Sequence, residues 1–170
     1  MLSLFTMPES LLVALLNRST ANLKQRRAIL REWQTRREHL QATLENGFVY
    51  ECAPLPDEDA LLEGSVPAEI PGFTLFYTPQ EFADHLKAIR DLAETSPGYH
   101  FVPLPDAPFL NTKILVTNTA VLVSRLTEPR IIFTFDHPAL CRAFMAYAEA
   151  LKAPYLQEEE GSLREMEKYL

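Results

Sequence analysis

Residues 113–124 read Lys-Ile-Leu-Val-Thr-Asn-Thr-Ala-Val-Leu-Val-Ser. Two β-rich runs, Lys113–Thr117 and Ala120–Ser124, flank the turn pair Asn118–Thr119, and this pattern predicts a hairpin. Arg130–Phe135 predicts a further strand. Asp136 or His137 then caps a helix whose first turn holds Pro138. Leu140, Phe144, Tyr147 and Leu151 line one face of that helix, which is expected to close at Pro154. Upstream, Tyr99–Leu104 has strand character before Pro103, Pro105 and Pro108 enforce a loop. Thr78-Pro79-Gln80-Glu81 is a helix start, with Thr as N-cap, Pro at the first position and Glu in capping-box spacing. Phe82, Leu86, Ile89 and Ala93 follow on one face, and Pro97–Gly98 ends the helix. Phe73–Tyr77 and Phe48–Tyr50 predict two more strands. Between them, Pro54, Pro56, Pro67 and Pro71 punctuate a connecting region. Its acidic residues Asp57, Glu58, Asp59 and Glu63 are expected on one helical turn and loops. The sum is an α/β domain, with α+β as the alternative, built on a mixed sheet over residues 47–156.

Ahead of that domain lies a helical arm, residues 1–46. After Pro8 no Gly or Pro occurs until Gly47. Leu16, Leu23, Leu30 and Leu44 recur at heptad spacing, with Trp33 and Leu40 interleaved. This is one stripe on a long helix, or on two helices broken near Asn17–Thr20. Arg26 and Arg37 interrupt the seam. Arg18, Lys24, Arg27, Arg31 and Arg36 are expected on a solvated face. The tail, residues 157–170, carries Glu158, Glu159 and Glu160 and is expected to form a frayed or partner-bound acidic helix.

Composition narrows the classes. The 170 residues are 47% hydrophobic and 23% charged, which supports a sizeable core and argues against general disorder. Charge is divided unevenly: residues 1–46 sum to +3 and the remainder to −10, within an overall −7. So acidic a body repels polyphosphate, and contact with DNA is expected only through the N-terminal arm or a missing partner. The apolar run Leu11–Leu16 is far shorter than the about 20 residues that cross a bilayer. No basic segment precedes it, which argues against a secretory signal. Cys52 and Cys141 are far apart and lack metal-like spacing, so a cytoplasmic location is expected.

Motif by motif, most chemistry is excluded. Five unclustered glycines give no phosphate-cradling loop and no dinucleotide fingerprint, and no Gly-x-Ser-x-Gly elbow is present. His39, His85, His100 and His137 are dispersed, so neither a zinc site nor any other cofactor is expected. His137 reads as a capping residue. His85 reads as lying off the apolar stripe of its helix and is expected to be solvated. His100 flanks a strand and is expected to be partly buried.

One constellation remains. Asn111-x-Lys113, four residues and Asn118, followed by a strand ending at Ser124, reproduces the spacing of His-x-Lys-(four residues)-Asp. Residues 73–153 resemble the phospholipase D superfamily in this respect. The resemblance implies the motif on a hairpin, and two such halves facing each other across a cleft. It further implies a nucleophilic histidine at position 111, a charge-neutralising Lys113 and an orienting aspartate at position 118. Here positions 111 and 118 are Asn, and an amide cannot accept a phosphoryl group. Catalysis is therefore not expected. Lys113 can still hold an anion as a point charge, and two amides beside it suit a polar ligand.

The N-terminal text, from Leu4 through Leu15-Leu16-Asn17-Arg18-Ser19-Thr20-Ala21-Asn22-Leu23 to Arg31-Glu32-Trp33, resembles the linker of Xre-type bacterial helix-turn-helix regulators. In these the linker joins a DNA-binding head to a degenerate phospholipase-D-like sensor. Phe133-Thr-Phe-Asp-His-Pro-Ala-Leu-Cys-Arg-Ala-Phe resembles the end of such a sensor. The resemblance implies a non-catalytic, ligand-sensing homodimer, with DNA bound only through a helix-turn-helix head outside this chain. A small polar or anionic ligand is expected at Asn111, Lys113, Asn118 and His100. The enzymatic alternative is a divergent phosphodiester hydrolase or phosphotransferase using His100 with a carboxylate such as Asp106. The other is a plain assembly module.

Overall fold

The computed structural model describes residues 2–70, 72–104, 112–125, 131–156, 166, 169 and 170. Five strands form one mixed sheet: β1 (Val49–Pro54), β4 (Tyr99–Leu104), β5 (Thr112–Thr117), β6 (Val121–Arg125) and β7 (Ile132–Phe135), in the order β4-β1-β5-β6-β7. β1 and β4 run parallel, and every other pair is antiparallel. The predicted hairpin is present, with Lys113 opposite Ser124 and Val116 opposite Val121. The connection from β1 to β4 carries α3 (Glu58–Leu62), the small hairpin of β2 (Pro67–Ile70) and β3 (Phe73–Phe76), and α4 (Pro79–Thr95). The fold class is α/β, as expected from the order of elements.

Strand side chains alternate between two faces, and here each face has its own core. Val49 and Ala53 of β1, with Tyr99 and Phe101 of β4, pack among Phe82, Leu86 and Ile89 of α4 and the leucines of the N-terminal segment. Tyr50, Cys52, Val102, Ile114 and Val116 face the other way and meet α5 (Pro138–Leu156) through Cys141, Phe144, Ala148 and Leu151. The molecule is thus three layers deep, and β1 is covered on both sides.

The arm departs from the one-helix reading. It breaks into α1 (Glu9–Arg18) and α2 (Leu23–Asn46), at the place the two-helix alternative named. Asn22 caps α2 with a reciprocal box: its side chain accepts from the Gln25 backbone, and Gln25 accepts from the Asn22 backbone. Arg26 does not face solvent freely but ties the break together, donating to the Ala21 carbonyl and the Asn17 side chain at 2.8 and 2.9 Å. The basic face is exposed at Arg18, Lys24, Arg27 and Arg31, as expected, with Arg18 paired to Glu81 and half-buried Arg36 to Glu32. Leu23, assigned to the apolar stripe, is 64% exposed, because the stripe begins only where α2 meets the body at Ile29 and Trp33.

Two further expectations change. The proline-punctuated connection contains strand β2, which a proline can start because its missing N–H falls at the first residue. The last helix runs on to Leu156, past Pro154, whose missing N–H removes only one bond in the final turn. Of the tail, Met166 is buried against the α4-side core and the Tyr169 hydroxyl donates to the Pro56 carbonyl. Residues 157–165 lie outside the described residues. No helix among the described residues is long and apolar enough to cross a membrane.

Candidate functional site

Lys113 does not face an open cleft. It lies on the α4 side of β5, buried, with its ammonium paired to Glu69 of β2 and donating to Ser3 Oγ at 3.2 Å. The alternation of β5 explains the direction: Ile114 and Val116 belong to the α5 side, so Lys113 and Leu115 take the opposite face. What covers Lys113 there is the chain's own N-terminal segment. Leu2, Leu4 and Met7 have no exposed surface, and Leu4–Thr6 form a short 3-10 turn. The Trp33 indole N–H donates to the Met7 carbonyl at 2.9 Å, which ties the segment to α2.

A buried polar centre is organised around that segment. Glu51, at the middle of β1, is fully buried, accepting from the Ser3 backbone N–H at 3.0 Å and from the Tyr99 hydroxyl at 2.6 Å. Burial, reinforced by the Glu51 charge, holds the Tyr99 hydroxyl well above its ordinary pKa. His85 is fully buried too, contrary to the expectation of solvation. The reason is its helical position: residues 82, 85, 86 and 89 share one face of α4, and the N-terminal segment closes over it. Thr6 Oγ1 donates to the Ser3 carbonyl at 2.9 Å, so it receives the proton of His85 Nε2 at 3.0 Å. His85 Nδ1 in turn accepts from the Tyr77 hydroxyl at 2.8 Å. Burial and nearby positive charge, that of Lys113 included, push the imidazole down to about 3, so it is neutral. Every buried side-chain nitrogen and oxygen among the described residues has a partner.

Asn118 sits elsewhere. It is exposed in the β5–β6 turn, at the opposite end of β5 from Lys113, beside a surface hollow of about 360 Å³ shared with Phe48, Asp136 and Arg142. Its amide fills the space where a Cβ on Gly47 would stand, 2.7 Å from Oδ1. Asn111 and Asp106 lie outside the described residues. The expected grouping of Lys113 with Asn118 and His100 around one ligand is not formed. Four strand residues, 114–117, separate the first two, and His100 belongs to the other face of the sheet.

His100 lies on β4, directly opposite Tyr50 in the parallel register, with ring centroids 4.6 Å apart. Lys152 of α5 donates to His100 Nδ1 at 2.9 Å, and the ammonium lies 6.0 Å from the Tyr50 ring. Glu149, one turn earlier on α5, accepts from the Tyr50 hydroxyl at 3.5 Å. Burial and the Lys152 charge lower the His100 pKa, opposed by Glu149; burial lowers that of Lys152, again opposed by Glu149. These residues adjoin a cavity of about 180 Å³ at the β4 edge, lined also by Arg90 and Glu94 of α4. Reasoning from sequence marked His100 but missed Lys152, Glu149 and Tyr50, whose only signal is Glu149-x-x-Lys152 on the sheet-facing side of α5.

The two thiols offer no nucleophile. Cys52 and Cys141 are free and buried, and burial, with Glu51 adding, pushes Cys52 up to about 12. No group of three or more potential metal ligands occurs among the described residues. Comparison of the chain with protein families, curated proteins and solved structures finds no match.

Proposed function

We propose that this chain is a non-catalytic, ligand-sensing and dimerising region of a bacterial transcriptional regulator, in which the helical arm reports the state of the α/β body to a DNA-binding head. One observation carries the reading. The segment that opens the arm is threaded through the body's polar centre, where Ser3 and Thr6 are bonded to Glu51, Lys113 and His85. Arm and body therefore move together: a change in the packing of that centre must change how α1 and α2 leave it. Such coupling requires a ligand with different affinities for the two packings.

Two features support the absence of catalysis in this reading. Lys113, the position matching the phosphate-neutralising lysine, is occupied by Glu69 and Ser3, and position 118 offers an exposed amide far from it. Support for a dimer comes from β7. It is the outermost strand of the sheet, and Ile132 and Phe133 on it are 61% and 56% exposed. Antiparallel pairing of this strand with a second copy is self-complementary about a twofold axis and continues the sheet across the two copies.

The test is repression by a helix-turn-helix head that binds its operator only as a dimer, fused ahead of residue 1. The expected result is repression by the wild-type fusion, changed tenfold or more by Lys113→Met and unchanged by Asn118→Ala. Failure of the wild-type fusion to repress would overturn the reading. So would turnover of a simple phosphodiester that is abolished by His100→Ala, which instead selects a hydrolase.

A further inference from the structure

We infer that the cavity at the β4 edge, between Arg90 of α4 and Lys152 of α5, is a binding site for a small organic carboxylate, the sensed ligand if the chain is a sensor. This inference rests on the sensing reading for its purpose but not for its geometry. The cavity holds about 180 Å³, below the about 300–1,000 Å³ of drug-sized sites, so the ligand is small. One wall is apolar, with Ile89, Ala93 and Phe101; the other brings the basic nitrogens of Arg90, Lys152 and His100, beside the Glu94 carboxylate that pairs with Arg90. A bare oxyanion would leave the apolar walls without a partner. A carboxylate on a short hydrocarbon body matches both.

Lys152 is built to receive such a group. Its bond to His100 Nδ1 uses one of three ammonium protons, on a neutral acceptor rather than on a counter-ion. Glu149 lies close enough to favour the charged ammonium, but its carboxylate is directed to the Tyr50 hydroxyl. The Arg90 guanidinium has Glu94 at 3.9 Å, too long for a hydrogen bond. A bound carboxylate accepts from Lys152 and Arg90 together and so draws α5 toward α4 across the sheet edge.

The experiment is titration calorimetry of the whole chain with acetate, butyrate, benzoate and inorganic phosphate at pH 7. The expected result is saturable binding of butyrate or benzoate, stronger than that of acetate or phosphate. Lys152→Met and, independently, Arg90→Gln at the cavity mouth should each weaken it tenfold or more, with thermal unfolding checked for both. No saturable binding, binding of phosphate as tight as that of butyrate, or undiminished binding by both variants would overturn the site. Carboxylate binding that leaves repression by the fused head unaltered would support the site while overturning its role as the sensor's input. Repression that still requires Lys113, without any carboxylate binding, would overturn the site alone.

Discussion

His85 can be followed through a pH titration of stability. Its folded pKa is pushed down to about 3, mainly by burial, while in the unfolded chain it titrates near the ordinary value of about 6.5. The unfolded state therefore binds the proton first as pH falls. The stabilisation is complete above about 6.5 and is lost progressively toward 3, at a slope approaching about 1.4 kcal/mol per pH unit. Urea denaturation between pH 7.5 and 5 should show this decline. His85→Gln, which keeps a donor and an acceptor, should be less stable at pH 7.5 but much flatter below 6.5. At Lys113 the prediction concerns pairing. Lys113→Met removes the partner of Glu69, whose other cation, Arg36, is 3.7 Å away, and should cost about 1–3 kcal/mol. A cycle with Glu69→Gln should recover part of that loss, and additive effects would contradict the pairing. Lys113 stood out in the sequence by its spacing, but its partners are 44 and 110 positions distant, and no local pattern marks them. His85 was misjudged for a different reason. Polar identity outweighed a helical spacing that already placed it beside Phe82, Leu86 and Ile89.

Elements were more legible than contacts, because caps and turns are local chemistry. The Thr78–Glu81 box is present as read, and strand β4 has the predicted bounds, Tyr99–Leu104. Strand β2 was missed since its apolar residues Ala68 and Ile70 are hidden among prolines. The break in the arm was legible only as an alternative, because Asn22 as a cap competes with an otherwise continuous heptad stripe. Thr78→Ala and Asn22→Ala should each cost about 1 kcal/mol of stability, measured by thermal unfolding. If Asn22→Ala costs nothing, α2 does not start where its cap places it. Close backbone approach supplies another check. A Cβ at Gly98 would stand 2.7 Å from the Gly47 carbonyl oxygen, where α2 ends and β1 and β4 begin. A Cβ at Gly47 meets the Asn118 side chain in an exposed turn, which can rotate away. Gly98→Ala should therefore destabilise more than Gly47→Ala in the same assay.

At the scale of the whole molecule, the arm and the body are one folded unit. Leu2, Leu4, Leu12 and Leu15 belong to the same core as Ile89 and Tyr99, so the boundary expected near residue 46 does not separate two hydrophobic cores. Charge, the apolar stripe that runs to Gly47 and the linker resemblance suggested that boundary, because a basic amphipathic segment followed by an acidic domain reads as a linker joined to a body. The burial of the first residues has no such signal. Leu2, Ser3 and Leu4 form too short a stretch to show periodicity, and their partners Glu51, His85 and Lys113 come from three separate elements. Phe133→Glu on the sheet edge should convert a dimer to a monomer in sedimentation velocity at micromolar concentration, while a change confined to stability would contradict the β7 interface. The polar centre around Lys113 holds the start of the arm, and hydrogen exchange of wild type and Lys113→Met reads that hold. Faster exchange is expected across residues 2–16 and at the Trp33 turn of α2, with α5 unaltered. Acceleration confined to β5 and its neighbours, with the N-terminal segment still protected, would contradict it.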